Sequence, residues 1–336
     1  MYDAAVSASL RRVLVTGASG FLGSHVVRSL VAQGVAVHAQ GRDEARLSFH
    51  GNVRVFRCGL TESLALAQAA SGCDAVVHAA ALSAPWGVRQ DFIEANIIGT
   101  ANVIAAARAS GVRRLVHVSS PAVIFTGRDQ ILVNDSAPYA PNPGSEYART
   151  KRAAEELVRA ASADLETVII RPKAIYGAGD RALVPRLARA ARRGALPQIG
   201  AGTNLVDVTH VDDVVRAAEC ALVTDRGLGE SFLITGGEHV PLWAMIRELL
   251  SGIGLPVPSR TISLRVALVA AGAMEAVAAI TGREPTLTRY SAQILARTQT
   301  YDISRARELL GYAPRVSSGD GLARTIDAMR AAAVAR

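Results

Sequence analysis

The residues whose types and spacing best suit chemistry are a tyrosine and a lysine four positions apart. Tyr147 and Lys151 open a predicted helix over 147–161, and a spacing of four places both side chains on one helix face. A phenol has an ordinary pKa of about 10, and a neighbouring ammonium lowers that pKa by stabilising the phenolate. The pair therefore predicts proton exchange with an alcohol or carbonyl oxygen.

A serine that follows a predicted strand is the third catalytic candidate. The strand over 114–119 ends beside Ser120, and in a doubly wound sheet ligands bind beyond the carboxyl ends of the strands. The Ser120 hydroxyl would hydrogen-bond the same substrate oxygen as Tyr147. The alternatives are that Ser120 caps local backbone and that Ser119 takes the role instead.

Three glycines separate the first predicted strand from the first predicted helix. Gly17 suits a tight turn, Gly20 lets the backbone approach a pyrophosphate, and Gly23 allows close packing of helix on strand. The following helix presents free N–H groups to the anion. We therefore predict a dinucleotide site over this loop, which also includes Ser19, Phe21 and Leu22.

The end of the second predicted strand bears on which nicotinamide cofactor is bound. An acid usually stands here to hold the ribose hydroxyls of NAD, whereas this chain has Gln40. The guanidinium of Arg42 suits the 2′-phosphate of NADP. NADP(H) is therefore the preferred expectation, and NAD(H) is the alternative, with Asp43 or Glu44 serving the ribose.

Strand and helix patterns alternate through the first half of the chain. This alternation predicts an α/β fold with a Rossmann-type doubly wound parallel sheet. The predicted strands are 12–16, 35–39, 53–57, 75–79, 114–119 and 167–171, and the helices are 22–33, 63–70, 96–109 and 147–161.

After about residue 172 prolines separate shorter elements. We expect a dinucleotide-binding domain over 1–175 and a smaller, mostly helical substrate-binding cap over 176–336, from which some segments return to the first domain. The predicted helices here are 182–193, 212–223, 242–250, 264–280, 304–310 and 319–333, and the predicted strands are 206–209 and 231–235.

Composition excludes several classes of function. Of 336 residues, 50% are hydrophobic and 20% charged, which excludes a disordered chain. Aromatic residues make up 4%, too few for a platform that stacks single-stranded nucleic acid. The net charge of +8 comes from arginines spread along the whole chain rather than clustered on one face, so no nucleic-acid partner is expected.

The cellular setting follows from the cysteines and the apolar segments. Three cysteines without paired or metal-like spacing favour a cytoplasmic protein without disulfides. Residues 1–10 lack the apolar core of a signal peptide. The segment 266–280 is shorter than the roughly 18 apolar residues of a spanning helix, so a buried helix or substrate lid is expected, with peripheral membrane contact as the alternative.

Two further groups of polar residues are interpreted as structural. Asn96 stands at the start of a predicted helix and is expected to cap it, with ordering of water or of the tyrosine loop as the alternative. His210, Asp212 and Asp213 lie close in sequence, but Asp212 suits the first turn of a helix. No metal site is therefore expected.

Together, the loop Thr16–Gly23, Ser120 and the Tyr147/Lys151 pair resemble the extended short-chain dehydrogenase/reductases, over essentially the whole chain. The resemblance implies that Tyr147 is the acid/base, that Lys151 holds the nicotinamide ribose, and that Ser120 orients the carbonyl. It also implies a homodimer through the helices 96–109 and 147–161.

The resemblance extends the predicted cofactor site. It implies that Ala79, Ala80 and Ala81 lie under the adenosine ribose, and that Pro172, Ala174 and Ile175 face the nicotinamide. Where the family usually has Asp-Leu after the third strand, this chain has Gly59-Leu60, which leaves Leu60 as the predicted adenine contact.

Within that family, the segments 78–87 and 118–125 resemble the branch of the 3β-hydroxysteroid dehydrogenases and the 2-alkyl-3-oxoalkanoate reductases. The branch implies a bulky hydrophobic ketone or secondary alcohol, of the 3-oxo acid or 3-keto/3β-hydroxysteroid type. The predicted substrate contacts are Ser83, Trp86, Ser120 and Tyr176. The alternatives are an NAD-dependent nucleotide-sugar epimerase and a non-catalytic dinucleotide sensor.

Overall fold

The alternating runs of the first half form the centre of one large sheet. In this computed structural model, which describes residues 9–334, seven parallel strands lie in the order β12-β7-β5-β4-β1-β2-β3. The strands of this sheet are β1 Arg12–Thr16, β2 Ala36–Gly41, β3 Val53–Arg57, β4 Ala75–His78, β5 Arg114–Val118, β7 Glu166–Pro172 and β12 Ser231–Ile234.

Helices cover both faces of this sheet. Successive residues of a strand point to opposite faces, so Val13 and Val15 enter one apolar core whereas Leu14 enters the other. The helices of the first half are α1 Phe21–Ala32, α2 Ser63–Ala70, α3 Arg89–Phe92, α4 Gly99–Ala109 and α5 Glu146–Ala161. The doubly wound α/β prediction is confirmed.

The second half contains shorter elements. A sheet in the order β13-β10-β15-β6 and two pairs, β11-β8 and β14-β9, lie among the helices. The remaining strands are β6 Gln130–Val133, β8 Ile175–Tyr176, β9 Gln198–Ile199, β10 Leu205–Val206, β11 Thr209–His210, β13 Val240–Pro241, β14 Thr261–Ile262 and β15 Gln299–Tyr301. The remaining helices are α6 Leu183–Arg192, α7 Val211–Val223, α8 Leu242–Gly252, α9 Leu264–Thr281, α10 Arg289–Ala296 and α11 Ser318–Val334.

Two local features differ from the patterns in the sequence. The predicted helix 96–109 is preceded by a π-helical turn, Ile93–Ile98, so Asn96 lies inside the helical segment and does not cap it. The segment 304–310 is also π-helical, over Ala306–Leu310. Helix α10 was not predicted, because eight residues are shorter than the window over which a helical period can be recognised.

Helix α9 corrects the expectation of a buried helix over 264–280. Its small residues Ala267, Ala271 and Ala278 face the protein, whereas Val269 and Ile280 are 76% and 87% exposed. By length and composition it is the one helix among the described residues that is apolar enough to cross a membrane. Residues 1–8, where the signal-peptide expectation falls, lie outside the described part.

Candidate active site

The glycine-rich loop joins β1 to α1 at very close range. Gly17 has a φ of +70°, a conformation that favours glycine, and a Cβ there would lie 2.8 Å from the backbone of Ala80. A Cβ on Gly23 would lie 2.2 Å from the carbonyl oxygen of Gly17. Only hydrogen atoms fit at these two positions, which lets the turn, the helix and the loop after β4 pack together.

The start of α1 fits a cofactor pyrophosphate. Its N-cap is Gly20, which offers no capping side chain, and no acidic residue stands in the first turn. The backbone N–H groups of this end are therefore free for an anion, and the helix dipole favours negative charge there. The predicted loop residues Ser19, Phe21 and Leu22 lie in or beside this turn.

The end of β2 shows why Gln40 replaces an acid. Gln40 is 2% exposed; its Oε1 accepts from the N–H of Gly17 at 3.1 Å, and its Nε2 donates to the carbonyl of Cys58 at 2.6 Å. The side chain thus supports the glycine loop from below. Arg42, two residues later, is exposed.

The acids that follow Arg42 are already paired with arginines. Asp43 lies 2.9 Å from Arg46, and Glu44 lies 2.6 Å from Arg57. These contacts compete with the ribose contact that was the alternative for Asp43 and Glu44.

Arg181 contacts the glycine-rich loop, which the sequence did not reveal. It follows Gly179 and Asp180 in the second half, and its Nη1 donates to the carbonyl of Ser19 at 3.1 Å. Burial lowers the pKa of Arg181, and the charge of Arg46 lowers it further. Arginine accounts for 35 of the 37 lysine and arginine residues in this chain. The presence of an arginine at position 181 therefore predicted no particular role.

Three hydroxyl groups meet at Tyr147. Burial raises the pKa of Tyr147 above its ordinary value, and hydrogen bonds with Ser120 and Ser83 oppose that rise. Ser120 also accepts from the N–H of Ala122 at 3.2 Å, so it caps the short 3₁₀ turn as well as facing the phenol. The neighbouring Ser119 has a buried hydroxyl without a partner among the described residues.

Lys151 lies on the same helix as Tyr147, and its ammonium contacts the end of β5. Its Nζ donates to the carbonyl of Val118 at 2.7 Å and lies 3.1 Å from Nε2 of His117. Burial lowers the pKa of Lys151 to about 8, against the opposing charge of Glu155. The expected lowering of the Tyr147 pKa is wrong here, because burial raises that pKa and the Lys151 ammonium is bonded to Val118 instead.

Asn96 fixes the loop that carries Ser83. Its Oδ1 accepts from the N–H of Leu82 at 2.7 Å, while its Nδ2 donates to the carbonyl of Leu82 at 3.1 Å and to Oγ1 of Thr150 at 3.0 Å. The π turn offsets Asn96 toward this loop, as such turns do at many functional sites. The loop is thereby tied to the helix of Tyr147.

Two buried histidines, His78 and His117, lie side by side at the ends of β4 and β5. His78 hydrogen-bonds Thr16 at 2.7 Å and Thr100 at 3.0 Å, and its ring centre lies 5.2 Å from that of His117. Burial lowers the pKa of His78 to about 3, so this imidazole stays neutral at ordinary pH. These contacts hold β1, β4 and β5 in register beneath the site.

The remaining residues predicted from the loops after β3 and β4 lie as follows. Ala79, Ala80 and Ala81 follow β4 directly, against the glycine loop, and Trp86 is half-buried in the same loop. Leu60 packs on Gly99, and its carbonyl accepts from Asn102 at 2.8 Å.

The segment that follows β7 is strained at one residue. Pro172 ends that strand, Ala174 has a φ of +45°, and Ile175 begins β8. A positive φ on alanine stores backbone strain, a feature that clusters at ligand-binding sites. The predicted nicotinamide contacts at these three residues remain predictions.

The structure corrects the prediction that Tyr176 contacts the substrate. It is 2% exposed, its hydroxyl donates to the carbonyl of Ser318 at 3.4 Å, and its ring meets His210 edge-on. These contacts give Tyr176 a packing role between β8 and α11, so we do not keep it among the substrate contacts.

Tyr290 of α10 is a site residue that sequence reasoning did not assign. Its ring packs on Gly144, three residues before Tyr147, and meets Phe125 edge-on at 6.0 Å. Helix α10 thereby brings an aromatic side chain of the second half to the segment that leads into Tyr147.

Comparison with known proteins agrees with this geometry. Residues 13–234 match the model of the NAD dependent epimerase/dehydratase family. A 2-alkyl-3-oxoalkanoate reductase of Stenotrophomonas maltophilia is 38% identical over 330 residues, which cover 93% of this chain and 98% of the relative. The human sterol-4-alpha-carboxylate 3-dehydrogenase, decarboxylating, is 34% identical over 337 residues, which cover 95% and 88%.

Among solved structures, MoeE5 in complex with UDP-glucuronic acid and NAD superposes with a TM-score of 0.74 at 30% identity, over 96% of this chain and 99% of that chain. The expectation from the sequence motifs is thus confirmed at the level of family. The chain belongs to the NAD dependent epimerase/dehydratase family, the extended short-chain dehydrogenase/reductases, and is an oxidoreductase of that family.

Proposed function

We propose that this oxidoreductase interconverts a ketone and a secondary alcohol on a bulky hydrophobic substrate, with NADP(H) as its preferred cofactor. The observation that carries the proposal is the meeting of the Ser83 and Ser120 hydroxyls at the phenol of Tyr147. Three hydroxyl groups around one point suit a single substrate oxygen that changes between carbonyl and alcohol.

The chain's own residues divide the work. The nicotinamide, when bound, supplies or accepts the hydride. Tyr147 gives its proton to the carbonyl oxygen during reduction and takes it back during oxidation. Ser120 and Ser83 donate hydrogen bonds to the same oxygen as negative charge develops on it. Lys151 keeps a positive charge at the end of β5, next to the predicted ribose position.

The preference for NADP(H) rests on charge at the end of β2. Arg42 is exposed there, whereas Asp43 and Glu44 are paired with Arg46 and Arg57. A guanidinium binds phosphate with paired hydrogen bonds, so Arg42 suits a 2′-phosphate. Relatives of this family include proteins solved with NAD, and NAD(H) is the competing cofactor.

The hydrophobic substrate is supported by the surroundings of Tyr147. Tyr290 and Phe125 lie on the side of the second half, and Trp86 lies in the loop of Ser83. The relatives named above act, by their names, on 2-alkyl-3-oxoalkanoates and on sterol carboxylates. We propose a substrate of the 3-oxo acid or 3-keto/3β-hydroxysteroid type.

The test is turnover of apolar ketones. Purified protein is mixed with a 2-alkyl-3-oxo acid or a 3-ketosteroid, and oxidation of NADPH and NADH is followed by absorbance. Tyr147→Phe is expected to reduce kcat by at least about a hundredfold, in the range of a lost acid/base group. Turnover of a nucleotide sugar without turnover of any apolar ketone would contradict the proposal.

A nucleotide-sugar epimerase is the second candidate, because MoeE5 was solved with UDP-sugars and NAD. An epimerase returns its hydride to the same substrate and so retains its cofactor through purification. Release of a stoichiometric nicotinamide cofactor from freshly purified protein would favour the epimerase, and a protein that must be supplied with NADPH favours the reductase.

The remaining expectations concern assembly and location. The homodimer through α4 and α5 stays a prediction, and the exposed Val88 and Ile98 lie on the segment that leads into α4. Light scattering at micromolar concentration tests it, with a monomer as the contradicting result. The free, buried state of Cys58, Cys73 and Cys220 supports the proposed cytoplasmic location.

A further inference from the structure

Helix α9 presents its large apolar side chains to the outside of the molecule. Val266, Val269, Val277 and Ile280 are 56%, 76%, 60% and 87% exposed. The outward face of a helix on a protein in water is normally polar. A set of four such residues on one helix therefore requires a partner for that face.

The exposed face is broad and carries almost no charge. With about 100° between successive residues, the exposed apolar positions span roughly 200° of the helix. The helix contains two charged residues, Arg265 in its first turn and Glu275 in its middle. Glu275 turns toward the protein, where it accepts from the backbone N and Nε of Arg289 at 2.7 and 2.6 Å.

Arginines border this face at both ends. Arg260 and Arg265 stand at its start and Arg283 at its finish, and all three are exposed. In the part of the chain that the structure covers, none of these three is paired with a carboxylate within 4.0 Å, whereas nearby Glu284 faces Arg186 at 3.6 Å. An apolar face bordered by unpaired cations is complementary to anionic lipid, whose headgroups would meet the guanidinium groups.

A second copy of the chain fits this face less well. Residues 266, 269, 273, 276 and 280 follow the spacing of a coiled-coil seam. However, the positions beside that seam within α9 are Arg265, Ala270, Gly272, Val277 and Ala279, and the single charge among them is too little to select a partner helix and its register. A lipid surface needs no register. We propose that α9 docks the protein on an anionic membrane surface and lies in the plane of that surface.

The same helix leads to the catalytic residues. Glu275 of α9 holds Arg289, and the ring of the next residue, Tyr290, lies against Gly144, three residues before Tyr147. A docked α9 would place this side of the site near the lipid, where a hydrophobic substrate is concentrated; this part of the inference rests on the proposed function. Docking itself does not, because it is measured without substrate.

The experiment is co-sedimentation of the full chain with vesicles of phosphatidylglycerol and phosphatidylethanolamine in equal amounts, and with vesicles of phosphatidylcholine alone. The test variant is Val269→Glu/Ile280→Glu. The control is Leu64→Glu, because Leu64 on α2 is 83% exposed, much like Ile280. Circular dichroism and light scattering of each variant accompany the sedimentation.

We expect wild type and Leu64→Glu to sediment with the anionic vesicles and to be released by high salt. The double variant should lose at least about tenfold in the bound-to-free ratio, since it buries charge where apolar surface is needed. Absence of wild-type binding to anionic vesicles overturns docking and leaves the proposed ketone reduction untouched. A wild-type oligomer that the double variant converts to monomer, without vesicle binding, overturns it in favour of a second copy.

Discussion

Nδ2 of Asn96 donates a hydrogen bond to Oγ1 of Thr150 at 3.0 Å, which ties a π-helical turn to the helix of the catalytic pair. Thr150 precedes Lys151 directly, and the other contacts of Asn96 hold both backbone groups of Leu82, next to Ser83. One buried amide thus sets the distance between the hydroxyl of Ser83 and the phenol of Tyr147.

Removal of the Asn96 amide should reduce activity more than it reduces the stability of the fold. Asn96→Ala leaves the N–H and carbonyl of Leu82 without partners, which costs about 1–3 kcal/mol of unfolding free energy. We expect kcat to fall by about tenfold or more, since misplacement by an ångström is enough for such a loss, while KM for the cofactor changes little. Urea unfolding and steady-state kinetics measure both quantities. A loss of activity that only follows the unfolded fraction would show a structural role alone.

The hydroxyl of Ser83 should tune the titration of Tyr147. Its hydrogen bond lowers the pKa of Tyr147, so Ser83→Ala should raise that pKa. In the direction of alcohol oxidation, activity rises as the phenol loses its proton, and the midpoint of the pH–rate profile should move to higher pH. Ser119→Ala is the matched control, because the Ser119 hydroxyl has no partner among residues 9–334. An unchanged midpoint in Ser83→Ala would contradict the assignment.

Two arginines should affect cofactor binding differently. Arg42→Ala should lower kcat/KM for NADPH by about tenfold or more and change the value for NADH little, because a 2′-phosphate contact is present in one cofactor only. Arg181→Ala should weaken both cofactors alike, because Arg181 holds the loop that faces the shared pyrophosphate. Exposed Arg192, at the end of α6, supplies the control Arg192→Ala. Equal losses for both cofactors in Arg42→Ala would argue against an NADP preference.

Charge on buried Lys151 should make stability depend on pH. Its pKa falls from 10.5 to about 8 on folding, so the unfolded chain binds more protons between these values. The unfolding free energy of wild type, relative to Lys151→Met, should therefore increase by about 2–3 kcal/mol between about pH 7 and about pH 10. Parallel urea titrations measure it. A difference that does not change with pH would mean that Lys151 is not titrated in this way.

The buried ion pair between Glu155 and Arg171 should contribute strongly to the stability of the fold. Glu155 of α5 accepts from Nε and Nη2 of Arg171 at 2.9 and 2.6 Å, and both side chains are buried. Glu155→Gln leaves the guanidinium uncompensated and should lower the unfolding free energy by about 3–5 kcal/mol. Glu156→Gln removes the exposed neighbouring pair with Arg152 and should change it by less than about 1 kcal/mol. Similar losses in both variants would contradict this difference.

Much of the first half could be predicted from local pattern. Strands β1 and β3 and helix α2 begin and end where the apolar runs predicted. Buried parallel strands are continuous apolar runs, and the glycine spacing reflects contacts between neighbouring segments of one βαβ unit. In the second half short elements pack on distant ones, so α10 gave no comparable local signal.

The sequence by itself determined the family, the glycine loop and the residues Ser120, Tyr147 and Lys151, because each depends on side-chain type at short spacing along the chain. The tertiary structure alone decided what stands around them. It tied the loop of the predicted Ser83 to Asn96, brought Arg181 to the glycine loop and Tyr290 to Gly144, turned the Lys151 ammonium to the Val118 carbonyl, and left the apolar side of α9 outside. These contacts join residues that are far apart in the chain. The burial and the distances that set a pKa exist only once the elements have packed together.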